Sequence, residues 1–479
     1  MRLKQIGEFV ENSKVTLFLR RALSSYFFPL VTAGVMLSCY YLGCEVAEIW
    51  YICLSGACIL ICCKDASPLI CNLLFLNVLT SVGHSPSYLG ANSDYLIRPA
   101  NLAQEIIAVI ILAVPLIYRT VDGLLKRRVR FSATFWSVMA LCVAFMLGGI
   151  FSPQYTPKNL LFGFELSLAI LGVYVFVCGN VELGQPAFKR IALYMVALCG
   201  VVAIELTVAY CTYEGLIVGG AVVREKLYMG WGTYNQMGML LTLTVPSFFY
   251  LAGKFKYGAG FLIGGIANVV LCFLCMSRQA ALVSTVIFVA CCVWLFIADK
   301  GVKRIIDASA VAAIIIIITA VLLANGQEVK EFFSSLRQSL ETGSGRTTLW
   351  RDALRNWLHK PLFGVGFYNP LAESGQVGYF GNGLGYSIPR MAHNTVFQIA
   401  SACGTIGVCA YVIHRTQTVI SYISNVNCER TFIALTLCAL LGVSLLDNHL
   451  FYFLPTIVYA AFTALLAASE NIKRADKEK

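Results

Sequence analysis

The chain has 479 residues, of which 58% are hydrophobic and only 13% are charged, against roughly a quarter charged in soluble domains. Runs of about 20 apolar residues recur along it, and each is long enough to cross a bilayer core of about 30 Å. The composition excludes a soluble globular protein and predicts an all-α polytopic membrane protein with about 12–14 transmembrane helices.

Fourteen membrane spans are predicted in chain order. They lie near residues 22–42, 46–63, 66–82, 100–118, 131–151, 159–178, 191–209, 235–252, 257–276, 279–298, 305–324, 394–413, 431–446 and 450–469. The first follows Arg20-Arg21 and lacks a small-residue cleavage site, so it is interpreted as a retained anchor. The predicted regions are N-terminal helices (1–210), central helices (211–324), a long loop (325–393) and C-terminal helices (394–479).

The distribution of Lys and Arg predicts the orientation of the chain. If the N-terminus lies in the cytoplasm, 24 of the 36 basic residues fall inside and 12 outside, seven of these in the 325–393 loop. Short cytoplasmic loops are enriched in Lys and Arg, whereas long loops cross the membrane largely regardless of charge. Both termini are therefore expected in the cytoplasm and 325–393 outside. The net charge of +11 follows from this topology, and no nucleic-acid partner is expected.

The 325–393 loop is the one long hydrophilic break in the chain. Residues 346–360 have apolar side chains at helical spacing, which predicts an amphipathic helix that lies along the membrane surface and stops at Pro361. A merely structural surface helix is the alternative. The predicted apolar face carries Leu349, Trp350, Ala353, Leu354 and Trp357, and the polar face carries Arg351, Asp352, Arg355 and Asn356. The glycine-rich stretch 375–385 predicts a mobile loop.

Several polar residues share the predicted outer face. An arginine matches phosphate oxygens with a fixed fork of donors, so Arg278 and Arg346 together would suit a diphosphate. A histidine titrates near neutral pH, so His393 could take a proton from an attacking hydroxyl. The alternative is that the arginines extend to lipid head groups and the histidine is structural. Asp447-Asn448-His449 also lies on this face.

Ionisable and sulfur-containing residues within the spans are weaker candidates. Glu105, Glu165 and Glu205 are either functional groups at membrane depth or packing residues near helix ends. Most of the 19 cysteines lie in apolar helices, where they act as small hydrophobic residues, and no disulfide framework is expected. Cys272-x-x-Cys275 has no partner ligands nearby in sequence. Neither a metal nor a cofactor is predicted.

A set of short motifs points to one family. Gly232-x-Tyr234-Asn235-Gln236-x-Gly238 precedes Ser277-Arg278 at the start of an apolar helix. There follow Ser344-Gly345-Arg346-x-x-Leu349-Trp350-x-x-Ala353-Leu354, Pro361-Leu362-x-Gly364-Val365-Gly366, and His393-Asn394 before Gly404-x-x-Gly407. In this order, residues 230–415 resemble the O-antigen ligase and Wzy-type polysaccharide polymerase superfamily.

The resemblance implies a metal-independent glycosyltransferase of the multi-span GT-C type in the bacterial cytoplasmic membrane. Such enzymes move glycans from undecaprenyl diphosphate onto lipid A core, onto another lipid-linked repeat, or onto protein. If the roles known in this family apply here, Arg278 and Arg346 would bind the diphosphate, and His393 would activate the acceptor hydroxyl or stabilise the departing diphosphate. The predicted substrate-binding residues in or next to the motifs are Asn235, Arg351, Gly364, Gly366 and Asn394.

Other functions remain open from the sequence. The expected partners are a lipid-linked glycan, a polysaccharide or lipid acceptor and membrane lipids, and both a polymerase and a ligase fit the motifs. A transporter or flippase for a lipid-linked sugar is the alternative from another class, although no internal repeat is present. A non-enzymatic assembly subunit that uses the 325–393 loop as a docking surface is a third reading.

Overall fold

The described part of the chain is almost entirely helical, which confirms a polytopic helical membrane protein. Six of its helices are long and apolar enough to cross a membrane, or seven if one bent pair counts as a single span. The computed structural model describes residues 13–78, 99–126, 128–129, 131–153, 155–213, 215–218, 221–223, 226–229, 231–255, 258–298, 334, 346–367, 380–381, 387–388 and 392–477.

The elements follow in chain order. The first nine helices are α1 (Lys14–Leu23), α2 (Phe28–Leu42), α3 (Glu45–Cys62), α4 (Ser67–Leu74), α5 (Pro99–Leu125), α6 (Ala133–Leu147), α7 (Pro157–Asn180), α8 (Gln185–Thr212) and α9 (Tyr234–Lys254). The others are α10 (Ala259–Leu274), α11 (Arg278–Ala298), α12 (Arg346–His359), α13 (Thr395–Ile423), α14 (Cys428–Leu446) and α15 (Phe453–Lys477). Two antiparallel pairs of two-residue strands lie in loops, β1 (Ile217–Val218) with β2 (Ala221–Val222) and β3 (Phe380–Gly381) with β4 (Ser387–Ile388).

Twelve predicted spans coincide with described helices, although the span at 22–42 contains the bend between α1 and α2. The span at 305–324 lies outside the described residues, as do Ser344 and most of the 375–385 stretch. The span predicted at 66–82 is described as far as Val78, where α4 ends at Leu74 and continues as a 3-10 turn over Phe75–Val78. Eight helical residues rise only about 12 Å. The short helix is tolerated because its residues are packed inside the protein, where neighbouring groups replace lipid.

Helix α9 forms the centre of the bundle. It is buried without interruption from Met237 to Ala252, and it packs against α8, α10, α11 and α14. A capping box begins it, in which the Gln236 side chain accepts a hydrogen bond from the Thr233 backbone N–H at 2.8 Å. Gly238 permits the close approach of α11, because a Cβ there would lie 2.4 Å from Ala280 Cβ. This contact holds the start of α11 against the start of α9.

Helix α13 is broken at Gly404, and a second segment repairs the break. The Gly404 backbone has φ 63° and ψ −157°, so the helical bonds from Thr405 and Ile406 to Ser401 and Ala402 are lost. Residues 361–366 replace them, and we call this segment the bridging segment. Val365 and Gly366 N–H donate to the Ser401 and Ala402 carbonyls, each at 2.9 Å, while Thr405 and Ile406 N–H donate to the Pro361 and Leu362 carbonyls at 2.7 and 3.2 Å.

The bridging segment fixes α12 beside the first half of α13. Trp350 stacks on Phe397 with ring centroids 5.7 Å apart, and Asn356 Nδ2 donates to Ser401 Oγ at 3.2 Å. Helix α12 is present as expected, and Arg351 and Arg355 of its predicted polar face are exposed, but the other two residues of that face are not. Asp352 and Asn356 are buried, whereas Leu354 and Leu358 are exposed. Asn356 faces inward because its side chain donates to Ser401 Oγ on α13, and the exposed leucines lie on the outward side of the helix.

The repaired break predicts that Gly404 tolerates no side chain. In Gly404→Ala, the Cβ would lie 2.5 Å from the Leu362 carbonyl, on a backbone conformation that costs other residues about 1–3 kcal/mol. We expect a clear fall in the apparent melting temperature of the detergent-purified protein, measured by fluorescence-detected size-exclusion chromatography. Gly172→Ala is the matched control, because nothing lies within 4 Å of that position in α7 and alanine favours a helix. Equal melting temperatures for the two variants would contradict the packing described.

Candidate active site

Four segments from distant parts of the chain meet at one hydrogen-bonded network. His393, just before α13, has its Nδ1 2.8 Å from Asp447 Oδ1, just after α14. Asp447 Oδ2 accepts a hydrogen bond from Asn235 Nδ2, at the start of α9, at 3.3 Å. Ser277 Oγ, next to Arg278, donates to Asn235 Oδ1 at 2.9 Å. The network therefore connects the predicted histidine to the turn that carries the first predicted arginine.

His393 is held in an unusual backbone conformation. Its φ of 49° is in the left-handed region, which is uncommon for residues other than glycine and is enriched at functional sites. The residues on either side are clamped. The Gln398 side chain accepts from Ala392 N–H at 2.7 Å, and Asn394 Nδ2 donates to the Leu445 carbonyl at 2.8 Å. The His393 ring itself keeps 39% of its side-chain surface exposed, so it is held in place and still accessible.

Asp447 is the anionic member of the network. Burial alone would raise the pKa of this carboxyl, but the hydrogen bond from His393, the neighbouring imidazoles and the Asn448 N–H hold it well below its usual range. An ionised carboxylate only accepts hydrogen bonds, so the pair assigns the shared proton to His393 Nδ1. Nε2 is then the nitrogen that carries the lone pair. This is the tautomer that a general base requires.

His449 connects the same network to Gln279 and Arg346. Its Nε2 lies 3.1 Å from Gln279 Nε2, in the first turn of α11. Burial lowers the pKa of His449, Asp447 partly offsets this, and the neighbouring basic groups His393 and Arg346 lower it further. The neutral form of His449 is thereby favoured, and the ring lies buried beside Gln279 and Asp447.

The two predicted arginines begin helices. Arg278 is the first residue of α11, and Arg346 is the first residue of α12; both are half-buried. The N-terminus of a helix carries a partial positive charge and unpaired backbone N–H groups, so it attracts phosphate. Each of these helix starts therefore combines an arginine with a partial positive charge.

The remaining predicted substrate contacts have evident structural roles. Asn394 caps α13 by accepting from Val396 and Phe397 N–H at 2.9 and 3.1 Å. Gly364 and Gly366 have positive φ and lie in the bridging segment against Ser401 and Asn159, where a Cβ would overlap other atoms. Arg351 is exposed on α12. Their contact with substrate stays a prediction.

Sequence reasoning did not give Asp447 a role, although it placed this residue on the same face as His393. The available signal was an acidic residue directly after an apolar span on the side that carries the histidine. Among the predicted glutamates, Glu205 is buried and accepts from Trp231 Nε1 at 2.7 Å, while Glu165 is exposed and Glu105 is partly buried. Glu205 therefore pairs with Trp231 rather than with a member of the His393–Asp447 network.

Comparison with known families is consistent with this geometry. Residues 263–412 match the family model described as O-antigen ligase. The resemblance to this family is confirmed. The O-antigen ligase region contains Arg278, Arg346 and His393, whereas Asn235 and Asp447 lie outside it, one on each side. No curated protein matches the chain. The match shows a likeness to O-antigen ligases over this part of the chain, and the apolar helices indicate a multi-pass membrane protein.

The His393–Asp447 pair predicts that Asp447→Asn lowers turnover while the protein still folds. The amide retains the shape of the carboxylate but not its charge, so it no longer selects the Nδ1-protonated histidine. We expect glycan transfer to slow by about 100- to 1000-fold, within the 10²–10⁴ range that general-base catalysis contributes. The decrease should be in kcat more than in KM. Glu429→Gln, at the opposite end of α14 and paired with Lys254, is the control and should transfer at the wild-type rate.

Proposed function

We propose that the protein transfers a glycan from undecaprenyl diphosphate to a hydroxyl group of a polysaccharide or lipid acceptor. The single observation that carries this proposal is the 2.8 Å His393–Asp447 pair, which is joined through Asn235 and Ser277 to the helix start that holds Arg278. A base and a phosphate-binding arginine are thereby connected within one rigid network. The family match supplies the substrate class.

The donor diphosphate would bind between Arg278 and Arg346. The two guanidinium groups and the N-termini of α11 and α12 together neutralise negative charge as it grows on the leaving group. This provides positive charge without a metal ion. Because Arg278 and Arg346 come from separate helices, the spacing of α11 and α12 sets the geometry of the diphosphate.

The acceptor would be activated by His393. Nε2 removes the proton from the acceptor hydroxyl, whose oxygen forms a bond to the anomeric carbon of the donor sugar. The bond from that carbon to the phosphate oxygen breaks, and its electron pair leaves with undecaprenyl diphosphate. Asp447 stabilises the positive charge that His393 then carries. The proton finally passes from His393 to the diphosphate or to water.

The site would face the outside of the cytoplasmic membrane. The excess of Lys and Arg in the other set of loops supports this orientation, with both termini in the cytoplasm. In this arrangement the regions 325–393 and 394–479 supply the base and its partner. The 211–324 region supplies Arg278, and the 1–210 region contributes lipid-facing helices. The count of about 12–14 spans and the GT-C type of architecture belong to the same proposal.

The alternative of a lipid-linked sugar flippase is less well supported by the break in α13. Transporters use broken helices because free carbonyl and N–H groups at the break bind cargo or ions. Here the bridging segment occupies those groups with four backbone hydrogen bonds. The break in α13 is therefore a rigid junction.

The proposal predicts that three substitutions abolish transfer in a purified system. Full-length protein in liposomes would be incubated with one lipid-linked repeat unit, and products would be separated by size. Wild-type protein should yield a ladder if it is a polymerase, or a single transfer product with a lipid A core acceptor if it is a ligase. Arg278→Ala and Arg346→Ala should each lower the rate by about 10²–10³, as loss of one preorganised donor does. His393→Asn should lower it by about 10²–10⁴.

The histidine is replaced by asparagine because asparagine tolerates the left-handed backbone, so the loss of the base is separated from misfolding. Arg21→Ala on α1 removes an exposed arginine away from the network and serves as the control. Wild-type product from all three site variants would refute the mechanism. Movement of the lipid-linked sugar between leaflets with no joined product would favour the flippase.

A further inference from the structure

A polar cavity lies at the opposite end of the molecule from the His393–Asp447 network. It has a volume of about 590 Å³ and opens between the ends of α3, α5 and α7. The charge distribution assigns these helix ends to the cytoplasmic side. The charged residues that line the cavity are Lys64, Arg119, Lys126 and Arg128, together with Asp122 and Glu182.

The lining has an excess of positive charge. Lys126 is paired with Asp122 at 2.8 Å, which neutralises both groups. Arg119 Nη2 donates to the carbonyls of Cys63 and Lys64 at 3.2 and 2.6 Å, which fixes its guanidinium at the wall. Its Nε is buried and donates to no group in the described residues. The guanidinium of Arg119 is thus fixed at the wall of a cavity that favours an anion.

A buried hydrogen-bond acceptor stands beside this donor. Asn180, only 5% exposed, lines the cavity, and its Nδ2 donates to the carbonyls of Arg119 and Phe176 at 3.3 and 3.1 Å. These two bonds fix the orientation of the amide, since only the nitrogen can donate. Its Oδ1 accepts no hydrogen bond from the described residues. A buried acceptor without a donor is unfavourable, so a ligand with a hydroxyl or N–H group would fit here.

The position of the cavity identifies the kind of anion. Helix α5 is exposed along nearly all of its length, with only 6% of its most apolar window buried, so it lies at the lipid-facing edge of the protein. Tyr118 on this helix lines the cavity and is 69% exposed, as is usual for tyrosine at a membrane interface. Val114, Ile117 and Val121 extend the exposed apolar surface next to it. An acyl chain could therefore run along α5 from a head group in the cavity.

We propose that this cavity binds the head group of an anionic glycerophospholipid that carries a free hydroxyl group. The phosphodiester contacts Arg119 and Arg128, and the hydroxyl donates to Asn180 Oδ1. The acyl chains lie against the exposed side of α5. The cytoplasmic leaflet is rich in anionic lipids, which matches the charge of the site. The inference does not depend on the proposed glycosyl transfer.

Native mass spectrometry of the full-length protein in detergent tests this inference. The protein would be incubated with phosphatidylglycerol, phosphatidylmethanol or phosphatidylcholine of identical acyl chains, or with glycerol 3-phosphate. We expect phosphatidylglycerol to be retained about ten-fold more than phosphatidylcholine, a difference of about 1.4 kcal/mol. Phosphatidylmethanol, which is anionic but lacks the hydroxyl, should be retained less than phosphatidylglycerol. Glycerol 3-phosphate should not displace the lipid.

Arg128→Gln should remove the preference for phosphatidylglycerol, because Arg128 lines the cavity and is exposed. Lys14→Gln makes the same change in charge at an exposed position on α1 outside the cavity, and should retain the preference. Equal retention of phosphatidylglycerol and phosphatidylcholine, or an unchanged preference in Arg128→Gln, would overturn the site. Displacement by glycerol 3-phosphate would show a soluble phosphate as the ligand. Equal retention of phosphatidylglycerol and phosphatidylmethanol would overturn the pairing with Asn180.

Discussion

Backbone hydrogen bonding at membrane depth is the constraint on which the candidate site depends. A peptide group that loses its partner in an apolar environment costs several kcal/mol, so a helix cannot break there without replacement bonds. The bridging segment supplies all four at Gly404. Because this segment directly follows α12, the repair also fixes α12 along α13. The start of α12 carries Arg346 and the start of α13 follows His393, so one backbone junction sets the relation between two elements of the site.

The site is built from groups that are each ordinary in isolation. Asn394 caps a helix, Gln398 accepts from a backbone N–H, and Asn235 joins two side chains. Together they hold His393 in a left-handed conformation against an ionised, buried carboxylate. Such rigidity is useful in catalysis because no reorganisation is needed when charge develops. The two half-buried arginines at helix starts would then add positive charge near a network that contains the proposed base.

At the opposite end of the molecule, arginine and asparagine side chains line a polar cavity. There, Arg119 and Asn180 join the ends of α3, α5 and α7, and each retains one polar atom that pairs with no described group. The His393–Asp447 network forms a continuous chain of hydrogen bonds from His393 to Ser277. One end of the bundle thus holds the proposed base, and the other holds a cavity at the lipid boundary.

The sequence by itself determined the helical membrane architecture, most helix positions and the residue types of the site. Length and hydropathy fix where a chain can cross a bilayer, and the motifs around Arg278, Arg346 and His393 carry the family resemblance. Only the tertiary structure decided that Asp447 is the partner of His393, since that contact joins turns separated by two helices. It also decided that Asp352 and Asn356 face inward. The physical reason is that lipid and protein core are both apolar, so periodicity alone cannot tell which face of a membrane helix is buried. The packing of α12 against α13 determines which face of α12 is buried.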